Sequence, residues 1–409
     1  MFVLAPLVVC AVLLPILLLL SPHLIPLSSS AAQASERMQR TFARLSAVLP
    51  TYFASSPSAP TSSPLSPHPT RMASSAVPAH NFPGPVVNDG AEVNTTPEEW
   101  RKELEQLPTL EQTGGAIPSI FLAHGSPMLI HPPHLANQRG GSIGDIQGPT
   151  GPLAVFLTDL GPALVEKYKP KAVVVFSAHW ETPNGGGVVT DYGEENPLLM
   201  DYFGFPDELY QVKFKSSGDH AVAERVVSLL KAAGLPSRLT SKLEPRGEDG
   251  RGFVGPGLDH GVFVPFKLMF NDSAPVPIIQ VSLASSLRPE DEYRLGAALE
   301  PLRSEGILLI SGGLTVHTFR DFNSFSPKTA KPQYRDWERS IVEAAAVEDP
   351  SKRKSALFSL IHHPMFRAAH PREEHFIPIY TAAGAADAAG GRARTVCGLW
   401  GAKTIVFGV

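Results

Sequence analysis

The sequence has 409 residues, of which 43% are hydrophobic and 18% are charged, which suits one large or two ordinary globular domains. Lys and Arg number 35 against 39 Asp and Glu, so no basic excess predicts binding to nucleic acid or to an anionic membrane surface. Two cysteines are present, Cys10 in an apolar stretch and Cys397, which excludes a disulfide framework and leaves His, Asp and Glu as ligands for any metal site.

The N-terminal part of the chain differs from the rest. Residues 1–29 are apolar and long enough to cross a bilayer, which takes about 20 residues. Three arginines follow, as in a signal anchor that leaves the remainder of the chain in the cytoplasm. The alternative is that translation starts at Met72, and both interpretations stay open. Residues 30–94 are rich in Pro, Ser and Ala and are predicted to form a disordered linker, so any membrane contact is confined to residues 1–29.

The first predicted helix begins at "TTPEEW". Thr96 is its expected N-cap, Pro97 suits the first turn, and Glu99 completes a capping box. A compact domain is predicted over residues 117–409. Five apolar runs in it are typical of buried strands: residues 119–123, 172–178, 277–283, 306–311 and 403–408.

Amphipathic segments separate these runs. Their leucines recur at helical spacing, as in the segment that carries Leu295, Leu299 and Leu302, and Gly234 is expected to end another helix. Alternating strands and helices favour an α/β sandwich with a mostly parallel central sheet. Ligands in such folds bind beyond the carboxyl ends of the strands.

Histidines follow several of the predicted strands. His124 comes directly after the first run in "FLAHGSP", His179 after the second in "FSAHWETP", and His317 just past the run at 306–311. Neutral imidazoles suit Fe, Zn, Cu and Ni. A short helical zinc signature such as H-E-x-x-H is absent from the sequence, so the ligands must come from distant segments, which fits an enzyme site better than a structural zinc site.

Two further loops carry candidate site residues. "GPGLDHGVFVP" places His260 in a Gly-rich loop, and "HPREEHFIPIY" carries His370, Glu374 and His375. We prefer His375 over Glu374 as a ligand, whereas His370 is either a supporting residue or part of a turn.

Taken in order, the motifs HGSP, SAHW, DHG, SGG-xxx-H and HP-x-EEHF-x-P resemble those of the class III extradiol ring-opening dioxygenases, in particular the DOPA 4,5-dioxygenase type. The resemblance covers roughly residues 117–409. It implies that His124, His179 and His375 bind the metal and that His260 lines the pocket as a second catalytic histidine. His317 matches the acid–base residue of the family, which this branch also assigns to the metal as a possible fourth ligand.

The resemblance also implies a fold and a reaction. The fold would be a three-layer α/β/α sandwich, and the enzyme a non-haem dioxygenase that opens the ring of a catechol, DOPA or a related phenolic, with O₂. Its cofactor would be one divalent metal, Fe(II) or Zn(II). A neutral histidine with a pKa near ~6.5 could accept the catechol proton and later return it. The alternatives are a non-catalytic binding or signalling protein and a zinc hydrolase of the same fold.

One segment departs from the family pattern. Residues 244–261 form a Gly-rich connection that looks longer than the family's connection before the DHG motif. Such a segment is either a lid that shapes substrate choice or a surface insertion. The departure puts the substrate in doubt more than the reaction.

Overall fold

A computed structural model describes residues 92–132, 141–182, 186–245, 253, 255–387 and 390–409. The apolar stretch at 1–29 and most of the predicted linker lie outside the described residues, as does most of the Gly-rich segment before Asp259. The predictions made for them therefore stay predictions. Among the described residues, no helix is both long enough and apolar enough to cross a membrane.

The middle layer is one eight-stranded sheet with the strand order β4-β3-β5-β2-β6-β1-β8-β7. Its strands are β1 (Ser119–Ala123), β2 (Ala172–Thr182), β3 (Gly187–Thr190), β4 (Ser237–Thr240), β5 (Ile278–Ala284), β6 (Ile307–Gly313), β7 (Ala393–Leu399) and β8 (Ala402–Phe407). The four central strands β5, β2, β6 and β1 run parallel, while β3 and β8 pair antiparallel with the two ends of this block. The predicted α/β fold with a mostly parallel sheet is thus confirmed.

Helices cover both faces of the sheet. They are α1 (Pro97–Glu105), α2 (Gly141–Gln147), α3 (Pro152–Tyr168), α4 (His220–Ala232), α5 (His260–Phe270), α6 (Pro289–Ala298), α7 (Pro301–Ser304), α8 (Gln333–Ala346), α9 (Pro350–Ser359), α10 (Phe366–Ala369) and α11 (Pro378–Asp387). Successive side chains of a strand point to opposite faces. In β2, Val173 and Val175 accordingly pack with α1, α3 and α5, while Val174 and Phe176 pack with α4 and α6 on the other face. Both faces of the strand are buried, which explains its continuous apolar run and gives the three-layer α/β/α sandwich.

Several local predictions hold. Thr96 caps α1, and the capping box is complete, since Thr96 Oγ1 accepts from the Glu99 amide at 3.3 Å and Glu99 Oε2 accepts from the Thr96 amide at 3.0 Å. Gly234 follows the C-cap of α4 with a φ of +70°, a conformation that glycine adopts without strain.

Other local predictions were wrong. The helix expected across Leu295, Leu299 and Leu302 is divided, because Pro301 cannot continue α6 and instead starts α7. Strands β3, β4 and β7 were missed. β4 and β7 are the two edges of the sheet and are only partly buried, so they lack the continuous apolar run of a central strand.

Candidate metal centre

Three histidines from distant segments meet at the carboxyl ends of the central strands. His124 directly follows β1, and His375 lies in the loop before α11. His179 was expected just after its strand but lies inside β2, which continues to Thr182. The pairing of β2 with β5 shifts register between Phe176 and Glu181, so the histidine sits at an irregularity of the ladder. Such irregularities re-aim side chains next to active sites.

The three imidazole rings form a nearly equilateral triangle. Their centroids are 5.0 Å apart for His124 and His179, 5.2 Å for His124 and His375, and 5.0 Å for His179 and His375. The Nε2 atoms of His179 and His375 are 3.0 Å apart, and one nitrogen from each ring lies within 4.8 Å of the others. The rings therefore converge on one point.

The chemistry of this triangle fits a divalent metal ion. All three side chains are buried, and neither ring nitrogen of His124 has a hydrogen-bond partner among the described residues. Burial, and then the nearby histidines, lower the pKa of His124 well below its usual value, so the ring is neutral. A buried polar atom without a partner is rare, a bound ion would account for it here, and neutral imidazole is the form that binds metal.

Carboxylates flank the far side of two of these rings. Nδ1 of His179 lies 3.4 Å from Asp201 Oδ2 and 3.5 Å from Asp259 Oδ1, while Nδ1 of His375 lies 3.0 Å from Glu374 Oε1. A carboxylate beyond a metal-binding histidine fixes the orientation of the ring and raises its basicity. Glu374, which was considered as a rival ligand, thus contacts the nitrogen of His375 that faces away from His179.

Asp259 is itself held by three donors. Its Oδ1 accepts from the Gly261 amide at 3.0 Å, as the N-cap of α5, and from Ser177 Oγ at 2.6 Å. Its Oδ2 accepts from Gln280 Nε2 at 2.6 Å. One carboxylate therefore joins β2, β5 and the start of α5 beside His179.

His260 lies next to the triangle. Its ring stacks on that of His179 with centroids 4.0 Å apart, and Asp201 Oδ1 accepts from both its Nδ1 and its backbone amide at 2.8 Å. Burial would raise the pKa of Asp201, but the charge and hydrogen bond of His260 outweigh it and hold that pKa below its usual range. Asp201 is thus ionised and fixes the ring of His260.

His317 lies beside the triangle rather than within it. Its ring stacks on that of His375 at 3.4 Å with an angle of 14°, and its Nδ1 is 3.9 Å from Glu374 Oε1. The side chain is 21% exposed, whereas the three histidines of the triangle are almost fully buried. His317 therefore faces the open side of the site.

His370, by contrast, is a structural residue. Its Nε2 donates to the Thr315 carbonyl at 2.9 Å, and its ring packs against Trp337 and Phe376. Burial lowers its pKa to about 4, so it is neutral and can donate to the carbonyl without carrying charge.

All three histidines of the triangle line a cavity of about 600 Å³, together with His260 and His317. The remaining described lining is mostly apolar and aromatic, with Pro127, Met128, Tyr202, Phe203, Phe205, Leu314, Phe319, Phe322 and Phe325. A concave, mostly apolar cavity with a few converging polar groups is the usual form of a small-molecule site.

Some residues of this site carry no signal in the sequence. Asp201 is a single acidic residue in an aromatic segment, "MDYFGF", that matches none of the motifs. Arg372 lines the cavity and donates to both oxygens of Glu181 at 2.5 Å. Because their partners are distant in sequence, neither residue could be assigned to the site from a local pattern. The sequence shows only that a charged side chain lies next to an apolar segment.

Comparison with known proteins identifies the family. The family model described as "Catalytic LigB subunit of aromatic ring-opening dioxygenase" matches residues 118–406. The chain is 41% identical over 311 residues to a "4,5-DOPA dioxygenase extradiol-like protein" of Schizosaccharomyces pombe, covering 76% of this chain and 97% of that protein.

Two further matches are more distant. A "4,5-DOPA dioxygenase extradiol" of Beta vulgaris is 32% identical over 270 residues, covering 66% of this chain and 86% of that protein. A crystal structure of an uncharacterised Escherichia coli K12 protein matches with a TM-score of 0.49 and 23% identity, covering 71% of this chain and 100% of that one. From the family model and the curated relatives, the chain belongs to the LigB family of aromatic ring-opening dioxygenases, in its 4,5-DOPA dioxygenase branch, and is an extradiol ring-cleaving oxidoreductase.

Proposed function

We propose that this extradiol dioxygenase opens the ring of a catechol, DOPA or a related phenolic, with O₂, and that it depends on one divalent metal ion held by His124, His179 and His375. The observation that carries the proposal is the triangle of three buried imidazoles at the wall of an apolar cavity. The ring nitrogens of His124, which have no hydrogen-bond partner within the described part of the chain, support it further.

The chain supplies the ligands and the groups that hold them. Asp201 and Asp259 keep the ring of His179 in place, and Glu374 does the same for His375. When bound, the ion, Fe(II) or Zn(II), would activate the catechol oxygens as a Lewis acid, because three neutral imidazoles leave its charge uncompensated.

His317 is the proposed acid–base residue. Its stacking on His375 holds the ring at the cavity side of the site, where it can take the proton from a catechol hydroxyl and return it to the opened product. The alternative role of His317 is that of a fourth ligand.

His260 is the second proposed catalytic residue. Because Asp201 accepts from its Nδ1, its Nε2 is left for a hydrogen bond with a substrate hydroxyl. The surrounding apolar side chains limit the access of water to these groups.

The test begins with metal content. Purified protein stripped with a chelator should rebind one Fe(II) or Zn(II) per chain under anaerobic conditions. Fe(II)-loaded protein mixed in air with a panel of catechols should give the yellow ring-opened product. Metal content should fall as the pH drops below ~6, because a protonated imidazole cannot bind metal.

Variants assign the ligands. His124→Ala, His179→Ala and His375→Ala should each hold well below one ion per chain and lose ring opening. His362→Ala is the matched control, because His362 is exposed and lies outside the cavity lining. This variant should keep one metal ion per chain and full ring-opening activity. A triangle variant that still binds one ion with unchanged affinity would remove that histidine from the proposed ligand set.

A further inference from the structure

Three exposed phenylalanines surround the opening of the cavity. Phe203 is 80% exposed, and Phe319 and Phe322 are each 58% exposed, yet all three line the cavity. Only six large hydrophobic side chains are exposed in the part of the chain that the structure describes, and half of them lie at this opening. Exposed apolar surface concentrated around a cavity indicates a ligand-binding function.

The rings continue from the metal centre to the surface. His317 stacks on His375 at 3.4 Å, Phe319 meets His317 edge-on at 5.1 Å, and Phe322 follows at 5.8 Å from Phe319. Phe325, which is buried, supports this row at 5.9 Å from Phe319. A molecule whose reacting ring lies at the histidines therefore has an aromatic wall beside any substituent that points outward.

The cavity is larger than a single ring requires. A cavity of ~150 Å³ is enough to hold benzene. The cavity here has a volume of about 600 Å³, so most of it is available to a ring substituent.

Charge in the described lining does not favour binding of a substrate carboxylate at that position. Arg372 is the only lysine or arginine among the described lining residues. Its guanidinium already donates to both oxygens of Glu181 at 2.5 Å and lies 3.5 Å from Glu374. A substrate carboxylate would have to displace a two-bond, charge-assisted pair to reach it.

We propose that Phe203, Phe319 and Phe322 form an aromatic rim that determines specificity by binding an apolar substituent, alkyl or aryl, on the catechol ring. Catechols with such a substituent are then better substrates than DOPA, whose substituent is zwitterionic. This inference rests on the proposed function, because it places the reacting ring at His124, His179 and His375.

The test compares three substrates and two readouts. Initial rates of ring opening give kcat and KM for catechol, DOPA and 4-phenylcatechol, and calorimetry without O₂ gives the Kd of each for the metal-loaded protein. We expect kcat/KM for 4-phenylcatechol to exceed that for DOPA by at least about tenfold. The difference should come from a lower KM and a lower Kd for 4-phenylcatechol. Phe319→Ala and Phe322→Ala should each raise KM and Kd for 4-phenylcatechol by roughly tenfold, the effect of partly losing an apolar contact of phenylalanine size, and should change the KM and Kd for catechol much less.

Matched controls separate this effect from general disturbance. Phe319→Leu should restore most of the affinity, because it keeps apolar area. Leu243→Ala, at a side chain that is 96% exposed and outside the cavity lining, should change nothing. Phe203→Ala provides an independent variant on a different segment and should act like Phe319→Ala.

The possible results are distinguishable. A DOPA kcat/KM equal to or above that of 4-phenylcatechol, or unchanged 4-phenylcatechol affinity in the three phenylalanine variants, would overturn the rim proposal while leaving catechol ring opening intact. Absence of ring opening with every catechol would overturn the proposed function. The Kd series would then still test the rim, because it measures binding without turnover.

Discussion

At the scale of single residues, His317 is the position where two roles give opposite results. If it transfers protons, His317→Ala should keep its metal and still bind catechol, while turnover falls by ~10²–10⁴, the usual contribution of a positioned proton-transfer group. If it is a fourth ligand, metal content should fall with activity, and added metal should stabilise the variant less against unfolding. Metal analysis and turnover of the same preparation decide between them, and unchanged turnover would remove His317 from the mechanism.

Glu374 should act on the metal through His375. Glu374→Gln keeps the shape of the side chain but removes the charge beside Nδ1 of His375, so metal affinity should fall by about 10–100-fold, as for other outer carboxylates. Glu373→Gln is the matched control, because Glu373 pairs with the exposed Arg367 and does not line the cavity. Competition with a chelator measures both affinities, and equal values for the two variants would contradict the role given to Glu374.

The sequence predicted the histidines of the site better than the carboxylates that contact them. His124 and His179 stood out because polar residues next to buried strands are unusual, and the motif order identified the loop of His375. Asp201 could not be predicted, since only folding brings it within reach of His179 and His260. The aromatic rim was not predicted for the same reason, because the sequence alone does not show whether a phenylalanine side chain is exposed in the folded protein.

At the scale of secondary structure, burial decided what could be predicted. The central strands have continuous apolar runs because both faces are covered, and all of them were found. The extension of β2 through His179 to Thr182 was missed, because polar residues at its end are typical of a loop. The order of the strands in the sheet was not predicted, since it depends on contacts between segments that are far apart in sequence.

Glu292 joins three elements and should make stability depend on pH. It is fully buried in α6, where its Oε1 accepts from the Ala284 amide of β5 at 2.8 Å and its Oε2 accepts from Thr381 Oγ1 of α11 at 2.9 Å. Burial raises its pKa from 4.5 to about 8. Between these values the folded protein holds a proton that the unfolded chain releases, so the free energy of unfolding should decrease as the pH rises from about 4.5 to about 8.

Glu292→Gln tests this dependence. Glutamine can accept from the Ala284 amide and donate to Thr381, so the fold should be kept while the titrating group is lost. Urea unfolding at pH 5.5 and pH 8 should then show a smaller decrease in stability for the variant than for the unaltered protein. An identical decrease in both would show that Glu292 does not cause it.

At the scale of the whole molecule, α1 is part of the packed body although it precedes the predicted start of the domain. Trp100 is fully buried, its Nε1 donates to Asp159 Oδ2 at 2.9 Å, and its ring packs edge-on against Phe156 at 5.8 Å. A shortened protein that starts at Glu92 should match the full chain in unfolding free energy and ring opening. One that starts at Ile117 should be less stable by at least ~3 kcal/mol, the effect of losing a buried tryptophan. Equal denaturation midpoints for the two shortened proteins would contradict this.

The strand order also determines when the metal centre can form during synthesis. β1 and β2 are successive in the chain, yet β6 lies between them in the sheet, so the segments of His124 and His179 cannot take their final positions until β6 has left the ribosome. His375 follows 196 residues after His179, and β8, later still, pairs with the other edge of β1. On the proposed ligand set, a nascent chain therefore carries ligands that have not yet come together through most of its translation. We therefore expect loading of the proposed site to follow completion of the sheet, and the strand order argues against metal capture by the first half of the chain as a step in folding.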